Sequence, residues 1–207
     1  FREAAIHFQT HGTYTFIYPN RAPNSEYVKF WKEEARRCRE GLVRDDGEWI
    51  TGYYYFYLNY SVIQKIIERE GSKRADRVTD FPNVYDGDYL YTHYIEKARN
   101  EGKHAAILKK RGAGFSFKAG SHLARNFIHG ESELAFQGIK SYAIANEKEY
   151  LTKDGVLNKF IDIVDFLATH TPFPSHRGLK DSKNDMHWIL VYKDSESLIE
   201  KGVKNEV

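Results

Sequence analysis

Between residues 25 and 40 the apolar positions Trp31, Ala35 and Cys38 fall at i, i+4 and i+7, the spacing of one helix face. Ser25 stands where a capping hydroxyl belongs and Gly41 where a helix closes. Residues 50 to 63 carry Tyr53, Tyr54, Tyr55, Phe56, Tyr57 and Tyr60. That aromatic enrichment predicts an extended, strand-like segment with Gly52 at a bend. Such a run can stack on bases, but tyrosine more often fills space while keeping its hydroxyl hydrated. Gly71 to Arg77 reads as a linker and divides an aromatic-rich N-terminal layer, residues 1–77, from residues 78–207.

Past residue 86 the pattern alternates. Residues 87–101 place Leu90, Tyr91, Tyr94, Ile95 and Ala98 on one helical face, with Gly102 at the C-terminal cap. His104 to Leu108 is a short apolar run suited to a buried parallel strand. The turn Arg111-Gly-Ala-Gly114 follows. A helix is then predicted from Ser116 to His129 with Leu123, Ala124, Phe127 and Ile128 inward and Gly120 allowing close approach to a sheet. Next come a strand over 139–145 and a helix over 155–168, capped by Asp154, with Leu157, Phe160, Ile161, Val164 and Leu167 inward. Pro172 and Pro174 stop that helix, and a strand is predicted over 188–192. This order predicts an α/β fold, a parallel sheet flanked by helices through right-handed crossovers.

Composition narrows the classes. The 207 residues are 41% hydrophobic, enough for a core, and no apolar run approaches the ~20 residues of a bilayer span. No charged-then-apolar secretory pattern opens the chain, which fits a soluble protein. The net charge of +2 means that contact with nucleic acid has to come from local basic patches. One cysteine, Cys38, forms no internal disulfide and fits a reducing compartment. The nine histidines show no paired metal-ligand spacing. A start at Phe1 and an end at Val207 within a charged segment are expected of a piece cut from a longer protein.

The chemistry concentrates in residues 107–118. A strand end, a glycine turn and a helix opening with a hydroxyl residue make a phosphate cradle, because orphan N–H groups and the positive helix end converge on one anion. Ser116 is placed to ligate Mg²⁺. The common phosphate loop ends Gly-Lys-Ser/Thr, whereas here Phe115 follows Gly114. Lys109 and Lys110 precede the glycines, and either ammonium can fold back over the β- and γ-phosphates. Arg111 offers a forked donor to developing phosphoryl charge. The competing interpretation of this segment is a tight turn beside a solvated basic face.

Lys109-Lys-Arg-Gly-Ala-Gly-Phe-Ser-Phe-Lys118 resembles the deviant phosphate loop (Walker A) of tailed-bacteriophage large terminase subunits. Segments 50–60, 94–98, 145–155 and 166–172 agree with that family in the same order. The resemblance implies a P-loop NTPase-type sheet in residues 78–207 and an ATPase that drives double-stranded DNA into a capsid. It implies ATP and Mg²⁺ as cofactors. As partners it implies the portal protein, the small terminase subunit and further copies in a ring. The place of action is the procapsid portal in the host cell cytoplasm. Lys109 or Lys110 would be the displaced phosphate-binding lysine and Arg111 the loop arginine acting in cis. Gly112, Ala113, Gly114, Phe115 and Phe117 would line the phosphates, and Ser116 would hold the metal. Tyr85, Asp86 and Tyr89 lie where such enzymes hold adenine, though no glutamine marks the spot.

The hydrolytic acid is expected beyond Val207 together with the nuclease domain, since Asp162 and Asp165 fall on a helix and Asp181, Asp185 and Asp194 in loops or after strand ends. Glu147 and Glu149 just follow the strand over 139–145, but the resemblance implies that this segment is a turn of a different kind and not the hydrolytic acid. The alternatives are another P-loop NTPase and a non-enzymatic module that binds phosphate or nucleic acid. Arg36, Arg37 and Arg39, interleaved with Glu33, Glu34 and Glu40, read as a solvated helix face.

Overall fold

A computed structural model describes residues 1–68, 75–110, 112–130, 139–175, 177–181, 184–190 and 207. The elements run α1 (Glu3–His11), α2 (Glu26–Glu40), β1 (Leu42–Val43), β2 (Trp49–Ile50), α3 (Gly52–Tyr60), β3 (Ile63–Glu68), β4 (Ala75–Asp80), α4 (Asp86–Asn100), α5 (Phe115–His129), α6 (Glu149–Thr152), α7 (Val156–His170), β5 (Arg177–Asp181) and β6 (Asn184–Leu190). The fold mixes helices and strands. Among the described residues the strands pair only as antiparallel two-stranded units, β1 with β2, β3 with β4 and β5 with β6. No parallel pairing occurs among them.

Helix α2 forms as its pattern predicts, with the Ser25 hydroxyl accepting the Val28 N–H at 3.2 Å. The expected strand over 50–63 is instead helix α3, whose nine residues are all buried. A helix buried on every side shows no amphipathic period, so residue preference alone misled. Its start is set by Thr51, whose side chain accepts the Tyr54 N–H at 3.2 Å. The hydroxyls of Tyr53, Tyr54, Tyr55 and Tyr60 find partners inside the protein. Tyr55 and Tyr60 each donate to Glu34 Oε2 at 2.6 Å, and Tyr53 donates to Asn126 Oδ1 at 2.9 Å. Arg37 reaches the other oxygen of the buried Glu34 at 3.1 Å. A buried carboxylate with three donors is satisfied rather than stranded.

Helices α5 and α7 pack on each other, and the Phe127 and Phe160 rings meet edge-on at 5.2 Å. The inner face of α5 is as predicted. On α7, Ile163 is buried along with Leu157, Phe160, Val164 and Leu167, while Ile161 is only partly covered. A Cβ on Gly120 would lie 2.7 Å from Lys159 Cβ, so glycine is needed there, against helix α7 and not against a sheet. Asp154 does not cap α7. Gly155 holds that position, and Asp154, at φ 57°, pairs with Lys159. One hydrophobic core joins residues from α1 through Phe173, on both sides of residue 77.

Three further expectations change. Helix α4 buries Asp88, Thr92 and Glu96 and exposes Leu90 and Tyr94: it lies against α3, Asp88 pairs with Lys118 of α5, and the Thr92 hydroxyl bonds to carbonyls of its own helix. Residues 103–110 form no strand. Strand geometry is held by ladder bonds, and here Leu108 is fully exposed without one. Residues 139–145 are irregular apart from a single bridge at Lys140, with Tyr142 and Ile144 exposed. The end of the expected linker, from residue 75, belongs to β4, and residues 69–74 lie outside the described residues. The predicted strand over 188–192 is found as far as Leu190, in β6, antiparallel to β5. Its last two residues lie outside the described ones. No helix among the described residues is long and apolar enough to cross a membrane.

Candidate phosphate site at the start of α5

The turn before α5 is shaped by two left-handed glycines, Gly112 at φ 82° and Gly114 at φ 67°, ψ 17°. Gly114 is the N-cap, and Phe115 continues at once in right-handed helix. A left-handed residue followed by a right-handed one curls successive N–H groups toward a common point and makes an anion-binding concavity. No described residue accepts a hydrogen bond from the N–H groups of Gly114, Phe115 or Ser116. The first intrahelical bonds come from Phe117 and Lys118, which donate to the Gly114 carbonyl at 3.1 and 3.3 Å. A Cβ on Gly112 or Gly114 would meet nothing within 4 Å, so the surface around the turn is open. The fifteen-residue helix behind it adds the positive end of its dipole.

The side chains named from sequence are partly brought together here. The Lys109 ammonium sits 5.7 Å from the centre of the Phe115 ring, and the Tyr91 edge meets the same ring at 5.7 Å. Lys110 and Ser116 are exposed, Ser116 in the first turn of the helix. Phe117 is half-buried beneath the Lys159 ammonium, 4.6 Å from its ring centre. Ala113 contributes its carbonyl, which accepts from Lys118 Nζ at 2.9 Å. Arg111 lies outside the described residues.

Sequence reasoning missed Lys118 and Asp88. Lys118 Nζ lies 2.5 Å from Asp88 Oδ1, and both side chains are largely buried. Neither position carries a local signal, because their meeting depends on how α4 packs against α5. The contact also brings the first turn of α4, just after Tyr85, alongside the start of α5. Tyr85 itself is exposed, and its carbonyl accepts the Tyr54 hydroxyl at 3.3 Å. Tyr89 packs its ring against Tyr54 at 5.9 Å. Beside the Asp88–Lys118 pair, Tyr53, Tyr57, Tyr91 and His122 line a cavity of about 10 Å³, room for one water. His122 stacks on Tyr53 at 4.0 Å. Burial first, then the charges of Arg125 and Arg99, push its pKa down to about 4.

On α2, Arg36 and Arg37 are paired with carboxylates of the same helix. Arg36 pairs with Glu33 at 2.8 Å and Glu40 at 3.2 Å, and Arg37 pairs with Glu33 at 2.9 Å. The Arg36 hydrogen bond is the main reason that Glu33 is held down at about 2. Asp162 and Asp165 are on α7, as predicted, and burial raises Asp162 above its ordinary value. Among the described residues no three or more His, Cys, Asp or Glu side chains gather as a metal site.

No family model, curated protein or solved structure matches this chain.

Proposed function

We propose that this chain binds the phosphates of ATP at the start of α5, as the ATP-binding part of a DNA-packaging motor of the large-terminase type. The observation that carries the proposal is the left-handed to right-handed step at Gly114–Phe115, which leaves three adjacent N–H groups without a described acceptor. Such a donor set fits the terminal phosphates of a nucleotide. Lys109, whose ammonium lies over the Phe115 ring, is one candidate for the displaced phosphate-binding lysine, and Lys110 is the other. The Ser116 hydroxyl would hold Mg²⁺, which would neutralise charge between the phosphates. Arg111 would direct its guanidinium to the γ-phosphate, by its place in the loop alone. Tyr85, in the loop leading into α4, would lie near the base.

In this proposal the P-loop-type parallel sheet, double-stranded DNA, the portal protein, the small terminase subunit, assembly in a ring and action at the procapsid in the host cytoplasm all follow from the family resemblance. The chain itself supplies binding and orientation. No described side chain is assigned to activating water.

The antiparallel pairing of every described strand favours one second reading, a non-enzymatic module that uses the same cradle for a phosphate group of a nucleic acid. Thermal unfolding separates the two. Mg·ATP at 100 times its dissociation constant adds about 2.7 kcal/mol if it binds only the folded chain, a shift of several degrees. The motor reading expects that shift, and expects its loss in Ser116→Ala and in one of Lys109→Ala or Lys110→Ala. Stabilisation by a short DNA duplex with no response to Mg·ATP would replace it with the second reading.

A further inference from the structure

The peptide joining Ala113 to Gly114 has both of its polar groups at the candidate site. Its carbonyl accepts from Lys118 Nζ at 2.9 Å. Its N–H, that of Gly114, is the first of the three cradle donors. In a planar trans peptide the C=O and N–H point in opposite directions, so fixing one fixes the other. With the Ala113 oxygen drawn to Lys118, the Gly114 N–H is aimed away from Lys118. Gly114 otherwise leaves this plane free to turn, since its φ, one of the two torsions that set the plane, takes positive and negative values with similar ease. A rotated plane would present an oxygen, not a proton, to an incoming anion.

Lys118 is itself restrained. Asp88, in the first turn of α4, holds its ammonium at 2.5 Å, and both side chains are largely out of water. An ion pair with little solvent around it is screened less than a surface pair, and separating it would leave a charge buried without its partner. The lysine is therefore kept off the anion and on the loop carbonyl. We propose that Asp88 and Lys118 are positioning residues for the α5 cradle: together they lock the Ala113–Gly114 peptide so that the Gly114 N–H faces the anion. This rests on the phosphate reading of the cradle, but the lock is a property of the chain that can be seen without nucleotide.

The test uses the full chain labelled with [¹⁵N]glycine, as wild type, Lys118→Met, Lys118→Arg and Asp88→Asn. The amide signals of Gly112 and Gly114 are followed alone and during a titration with Mg·ATP. In Lys118→Met and Asp88→Asn the Gly114 signal is expected to move and its amide proton to exchange faster. The Mg·ATP dissociation constant is expected to rise about tenfold at a temperature where each variant remains folded. Lys118→Arg, which keeps a cationic donor, is expected to recover most of both. Asp88→Asn preserves shape, so it reports even if Lys118→Met does not fold. An unchanged Gly114 signal with an unchanged dissociation constant in Asp88→Asn would overturn the lock. A wild-type chain whose glycine signals ignore Mg·ATP would overturn the nucleotide reading, and the lock would then stand or fall on the Gly114 signal of the variants.

Discussion

The helical interior and the irregular chain that leads into α5 are built on opposite terms. In the interior, Phe56, Leu58, Phe127 and Phe160 are fully enclosed, and buried Glu34 and Asn59 are hydrogen-bonded among them. Buried Asn59 accepts the Ala5 N–H at 3.1 Å and donates to the Phe1 and Tyr55 carbonyls at 2.8 and 3.0 Å. From residue 103 to 110 nearly everything faces water, including Leu108. The interior fixes shape by packing. The approach to α5 leaves backbone and cations available to something outside the chain. The candidate site lies on the border between the two, where a firmly packed helix begins at an open turn.

The sharpest way to break the contrast is to remove volume from the interior. Phe127→Ala is expected to cost about 3–5 kcal/mol in urea unfolding, since the enclosed ring leaves a void that its neighbours cannot fill. Acid is expected to act next. The depressed pKa of His122 keeps it neutral in the fold, while an unfolded histidine takes up a proton as pH falls through about 6.5. Its contribution is therefore whole above that value and is lost progressively down toward pH 4. Between pH 7.5 and 5 the loss should be roughly 2 kcal/mol, and His122→Phe should flatten that part of the profile. His129 is likewise pushed well below its ordinary value, by burial and then by Arg125 and Arg39, and adds in the same direction.

Glycine substitutions sharpen the comparison. Gly120→Ala puts a methyl against Lys159 Cβ and the α7 backbone, and about 1–3 kcal/mol of overpacking should appear in the melting temperature. Gly112→Ala meets no neighbour and should cost only about 1–2 kcal/mol, that of a left-handed backbone with a side chain. Leu108→Ser is expected to change stability by less than ~0.5 kcal/mol, because its side chain is already in water. A larger loss there would show that the approach segment is packed after all.

What could be read from sequence follows the same division. Helix α2, the inner face of α5 and most of that of α7 announce themselves, because a cap or a one-sided stripe is a local signal. Helix α3 does not: Tyr53 to Tyr60 is aromatic or apolar at every position but Asn59, and Thr51 is the one sign of a helix start. The buried face of α4 was misjudged since Asp88, Thr92 and Glu96 look solvated until their neighbours are known. His104–Leu108 has strand composition, but composition supplies no partner. At the candidate site the glycine turn and the helix that follows it were legible, because left-handed turns and helix starts depend on local backbone. The Asp88–Lys118 pair was not, since thirty positions separate its members.

Arg125 has a consequence for how the molecule opens. Its guanidinium donates to the Cys38 and Arg39 carbonyls at 3.0 and 2.7 Å, at the negative dipole end of α2, and lies 4.4 Å over the Tyr53 ring of α3. One side chain of α5 thus closes the end of a second helix and covers the first turn of a third. Fraying α2 from that end requires pulling a cation out of α5, so the three helices should surrender their amide protons at one common rate, as a single cooperative block.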